Sequence, residues 1–162
     1  MKYRFLLVVL LAIGFALPMK AQDYLYVGMG YSKQSGAVRL GLIGDTFGAE
    51  VHVKSDFNRL FKSVSDMDGR RHRFSIMGGL TYNFVDILHF TANVGYGSMG
   101  TYRVLPAQGS YGAEGMIKGV EAGGVVDIFL GDVISAFVGW SKIFGSNNGK
   151  FSEFTFGLGF RL

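Results

Sequence analysis

The sequence contains no cysteine, which excludes a disulfide scaffold and any thiolate metal site while leaving the compartment open. Its three histidines, His52, His72 and His89, are scattered and make a poor metal set. Beyond residue 21 there is no apolar run of helix length, so a β protein is favoured over a helical one. Net charge is also scarce once the first segment is set aside. Lys2 and Arg4 precede an apolar run from Phe5 to Leu17, and Ala21 precedes Gln22 at a suitable cleavage point. Segment 1–21 is therefore read as an export signal and 22–162 as the mature domain. Removing it takes away three of the sixteen basic residues and none of the twelve acids, so the net charge falls from +4 to +1. A nucleic-acid partner loses its electrostatic support.

What is abundant is glycine, 25 residues, and phenylalanine, 15 residues. Their arrangement is most regular at the end of the chain. Phe154, Phe156, Leu158, Phe160 and Leu162 share one face of an extended strand, and Glu153, Thr155, Gly157, Gly159 and Arg161 share the other. The same two-residue rhythm runs through Tyr24 to Lys33, Ala37 to Leu42, Phe47 to Lys54, His72 to Phe84, Leu88 to Gly97, Met116 to Phe129 and Val133 to Ile143. That gives eight strands, with tight turns around Asp45, Asp86 and Asp132 and longer loops at Asp56 to Arg70 and Gly100 to Gly115. Pro106 falls in the second loop, where it breaks no ladder.

One face of every strand is apolar, and the other mixes glycine with charge. Such a pattern suits lipid outside and a polar lumen inside. A soluble barrel of the lipocalin kind would have to turn the bulky apolar face inward and leave a glycine-rich exterior. The expected fold is an all-β, eight-stranded antiparallel up-and-down transmembrane β-barrel.

The signal segment, the eight alternating strands and Phe154-Thr155-Phe156-Gly157-Leu158-Gly159-Phe160-Arg161-Leu162 together resemble the small OmpA/OmpX-type outer-membrane barrel family. The resemblance is one of pattern over nearly the whole mature chain. The family's last residue is usually aromatic, and Leu162 departs from that. The resemblance implies an outer-membrane location and recognition of the C-terminal strand by the barrel-insertion machinery. A monomer without cofactor is expected.

The ionisable residues on the polar faces are Arg39, Glu50, His52, Lys54, Arg73, His89, Glu121, Asp127, Glu153 and Arg161. Strand direction places Arg39, Glu50, His52 and Glu121 near mid-barrel, with Lys54, Arg73 and Glu153 towards the outside. Asp127 and Arg161 fall towards the periplasm. Glu153 is expected to meet Arg73, and Arg161 to meet Asp127. An eight-strand interior is filled by side chains, so these charges read as a plug, with a gated ion path as the alternative.

Catalysis is not expected. Gly95-Tyr96-Gly97-Ser98-Met99-Gly100 matches G-x-G-x-x-G, but no helix follows to hold a pyrophosphate. A lipid A-modifying barrel needs a histidine, a serine and an acid together. His72 is on the lipid-facing parity near the rim, but no serine stands at a spacing that pairs with it. Basic residues collect at the outer end: Arg59, Lys62, Arg70, Arg71, Arg103, Lys118, Lys142 and Lys150. They read either as ordinary solvated loops or as a surface for lipopolysaccharide phosphates, with Arg59, Lys62, Arg70, Arg71, Arg103 and Lys150 as the contacts.

Overall fold

A computed structural model of the chain describes residues 24–56, 64–105, 110–145 and 149–162. The segment read as an export signal lies outside the described residues, as do Arg59 and Lys62. The strands are β1 (Tyr24–Ser32), β2 (Gly36–Ile43), β3 (Phe47–Ser55), β4 (Arg71–Val85), β5 (Leu88–Leu105), β6 (Ser110–Phe129), β7 (Ile134–Gly145) and β8 (Lys150–Arg161). Each pairs antiparallel with the next, and β8 returns to β1 to close the barrel. The closing ladder sets Gly28 opposite Gly159 and Gly30 opposite Gly157. Closure satisfies the strand edges that an open sheet would expose.

Alternation decides what each face meets. Arg39 and Glu121 are fully buried inside, whereas Leu80 is 73% exposed and Leu158 51% exposed on the outer wall. An inward apolar face of the lipocalin kind is therefore excluded. Among the described residues, no helix is long and apolar enough to cross a membrane. The outward apolar strands are what suits lipid.

The barrel has two unlike ends. At one, short turns at 44–46, 86–87 and 130–133 join the strands; Gly44 N–H donates to Phe47 C=O, and Gly131 takes φ 93°, where a side chain would be strained. We call this the short-turn end. The opposite end carries the 56–70 connection, and in its described part, 64–70, a 3₁₀ turn, Val64–Met67, buries Met67.

One expectation is corrected here. The Gly100 to Gly115 stretch is mostly paired strand: Thr101 lies opposite Glu114, and Leu105 opposite Ser110. The alternation is hidden by a β-bulge between Met99 and Thr101, where β6 inserts one extra residue beside Gly115. Gly115 takes φ 63°, and the extra residue reverses the parity that a two-residue rhythm would follow. Only 106–109, around Pro106, separates the two strands, and it lies outside the described residues.

Candidate functional site: the lumen and its long-loop rim

The inward side chains form two ion clusters stacked along the barrel. Nearer the short-turn end, Arg39 reaches Glu50 at 2.9 Å and Asp127 at 2.9 Å. Both Nη atoms contact Asp127, while Nη2 and Nε hold Glu50. The Tyr26 hydroxyl donates to Asp127, and the Arg39 guanidinium lies 4.9 Å from the Tyr26 ring centroid and 4.7 Å from that of Phe137. A planar fork with five donors suits this position between two carboxylates.

The second cluster lies towards the long-loop end. Arg73 meets Glu153 at 2.6 Å and Glu121 at 2.7 Å. Lys54 reaches the same two carboxylates at 3.2 and 3.5 Å and donates to Ser141 at 2.6 Å. Ser32 donates to Glu153 at 2.8 Å, and Ser141 to Glu121 at 2.6 Å. Glu121 was expected at mid-barrel beside Arg39 and Glu50. The ladder rung does run from Glu121 through Gly95, Met77 and His52 to Arg39, but the Glu121 carboxylate pairs with Lys54 and Arg73 in the cluster that holds Glu153. Gly97 gives it room: a Cβ there would fall on the Glu121 carboxylate.

His52 is buried between the clusters, and neither ring nitrogen has a protein partner. The oxygens of Ser75 and Thr155 are similarly unpartnered, as is Oε2 of Glu121.

The expected Arg161 and Asp127 pair is also corrected. Asp127 is taken by Arg39 and Tyr26. Arg161 instead closes the short-turn mouth, with its guanidinium 3.6 Å from the Phe129 ring centroid and 4.6 Å from that of Tyr24. It donates to the Asp86 carbonyl at 3.0 Å and lies 3.3 Å from His89 Nε2. His89 in turn packs on Phe129 and contacts the Tyr24 hydroxyl at 3.2 Å. Face-on packing of a guanidinium against aromatic rings satisfies the charge without a carboxylate.

Tyr26, Phe129 and Phe137 escaped the sequence reading as parts of the plug. They sit on the inward parity among glycines, and that is the signal that would have found them. A Cβ at Gly159 would strike the Tyr26 ring, and one at Gly30 or Gly157 would strike Phe137. Glycines opposite each other on β1 and β8 thus make space for the large rings.

His72 keeps the outward parity but is not open to lipid. It is buried against Tyr102, whose hydroxyl lies 2.8 Å from Nδ1, and Ser98 from the neighbouring strand lies 3.2 Å from Nε2. The expectation that no serine pairs with it is corrected, since strand pairing brings together residues that are distant in sequence. Asp56 accepts from the Tyr102 hydroxyl at 3.2 Å and from the Arg73 backbone at 2.7 Å. The group has a serine, a histidine and an acid, but Ser98 is itself buried inside a strand paired on both sides. It sits in register opposite Phe74 and Lys118.

At the rim, Arg70 and Arg71 line a recess of about 510 Å³ with Lys33, Gln34 and Asp56. Arg70 Nε donates to the Asp66 carbonyl at 2.6 Å. Arg103 pairs with Glu114 at 2.9 Å, both largely exposed. Lys150 opens β8 on the outer wall, opposite Phe144.

No family model matches the sequence, and no curated protein does. Solved structures do match. The crystal structure of Ail, the attachment invasion locus protein of Yersinia pestis, in complex with the heparin analogue sucrose octasulfate, aligns over 86% of this chain and 95% of its own, with 7% identity and a TM-score of 0.60. Ail in a phospholipid bilayer nanodisc aligns over 88% and 100%, with 12% identity and a TM-score of 0.55. The N-terminal β-barrel domain of Pseudomonas aeruginosa OprF aligns over 86% and 96%, with 11% identity and a TM-score of 0.52. At such identities the likeness is one of fold, and the chain has the fold of the small eight-stranded outer-membrane β-barrels.

Proposed function

We propose that this is a small, non-enzymatic outer-membrane barrel, exported by residues 1–21, with a lumen closed by its own side chains and a structural or surface-interaction role at the cell exterior. The observation that carries the reading is the pair of buried ion clusters, Arg39 with Glu50 and Asp127, and Arg73 and Lys54 with Glu121 and Glu153. An eight-strand barrel has space for such a filling and little beside it. The short-turn end is taken as periplasmic and the long-loop end as external, the usual asymmetry of this architecture. Lipid and lipopolysaccharide are then the neighbours, with phosphate contacts from the basic external end, and β8 is the segment offered to the insertion machinery. The sulfated ligand of Ail is in keeping with an anion-meeting external surface on such a barrel.

Planar-bilayer recording of the wild type and Glu121→Ala tests the plug against a gated path. Closed traces in both agree with the plug. Resolved single-channel steps in the wild type, altered in Glu121→Ala, would establish the channel instead. The enzymatic alternative has its own check. The buried Ser98 should not react with a fluorophosphonate probe, and labelling lost in Ser98→Ala would revive it.

A further inference from the structure

We propose that Lys118, Lys142 and Lys150 form a binding site on the outer wall of β6, β7 and β8 for the phosphate groups of an anionic outer-leaflet lipid. The inference rests on the membrane orientation above and deepens the lipopolysaccharide reading by moving the contact from the mouth to the wall. The register fixes the direction of all three side chains. Lys118 is two residues from the outward Val120, Lys142 two from the outward Trp140, and Lys150 lies directly opposite the outward Phe144. Among the described residues, the outward positions of the eight strands carry no aspartate or glutamate, and these three are their only lysines or arginines. All three fall on adjacent strands at the same end.

Their heights bracket one rung, spanning about 14 Å of strand rise from Lys118 to Lys142. Val120, Phe144 and Lys150 share one rung across the three strands. Lys118 lies one outward position above that rung and Lys142 one below, each about 7 Å of strand rise away. The Lys142 ammonium lies 5.3 Å from the Phe144 ring centroid, so its side chain runs up towards the rung. Ser152 faces Lys142 in register and adds a hydroxyl. Tyr96, opposite Val120, and Trp140 are outward aromatics of the kind that mark the membrane interface.

Three like charges on a lipid-facing wall repel one another, and no carboxylate on that wall offsets them. The compensating charge must then come from the membrane. A lipid phosphate at headgroup height supplies it, and ammonium groups suit phosphate. The mouth cations are differently placed: Arg103 already has Glu114.

Native mass spectrometry of the full-length folded barrel tests this, using bis-phosphorylated lipid A and its phosphate-free counterpart as probes. The triple variant Lys118→Gln, Lys142→Gln, Lys150→Gln should bind the phosphorylated lipid about tenfold more weakly or worse, with phosphate-free binding unchanged. Triple replacement by arginine should restore it, and Arg70→Gln with Arg71→Gln should bind like wild type. Wild-type affinity in the triple glutamine variant overturns the wall site. If the mouth variant alone loses affinity, the wall site falls and the wider lipopolysaccharide reading stands. If the wild type does not distinguish the two lipids, both fall. Should the triple variant not fold, Lys142→Gln alone is read, with an expected loss of about threefold.

Discussion

Arg39 shows why a buried charge cluster must be judged by its partners. It has no exposure and is held by two carboxylates, so truncating it leaves Glu50 and Asp127 facing each other in a low-dielectric interior. Arg39→Met should destabilise the barrel by about 3–5 kcal/mol, read as a shift in urea unfolding in micelles. A change below about 1 kcal/mol would mean that water already screens the site. Gly159 makes the steric counterpart. Gly159→Val should cost about 1–3 kcal/mol by overpacking against Tyr26, and less in a Tyr26→Ala background. Additive costs in that double-mutant cycle would contradict the contact. Which residues point inward was legible from alternation alone. Which inward residue meets which was not, because partners such as Arg39 and Asp127 lie 88 residues apart and are chosen by ladder register. Arg161 illustrates the gap, since its place against Phe129 has no local sequence signature.

At the scale of elements, the eight strands and their short turns could be read from periodicity and turn residues, and the β5–β6 hairpin could not. One inserted residue beside Gly115 reverses the parity, so a paired segment imitated a loop. Gly115→Val should therefore strain the bulge by about 1–2 kcal/mol. Faster amide exchange should appear in 101–105 and 110–114, with the ladder below Met99 unaffected; uniform acceleration along β5 would contradict a local role. Arg103→Ala belongs to the same hairpin, but its pair with Glu114 is exposed, so unfolding should move by under about 0.5 kcal/mol. The terminal strand gains most from the structure. The amphipathic stretch Glu153 to Leu162 closes the sheet on Tyr26 to Ser32, and its polar face supplies one member of the long-loop-end cluster, Glu153, and the cation of the short-turn mouth, Arg161.

The whole molecule is inverted relative to a soluble barrel, with charge enclosed and large apolar side chains turned out. That inversion places the outer wall in lipid. The chain has a single tryptophan, Trp140, on the outward face of β7. This gives the most direct measurement: tryptophan emission of the folded protein in bilayers with and without brominated acyl chains. Blue-shifted emission is expected, strongly quenched by the brominated lipid and little affected by aqueous iodide. Emission that iodide quenches and brominated lipid leaves unchanged would contradict it.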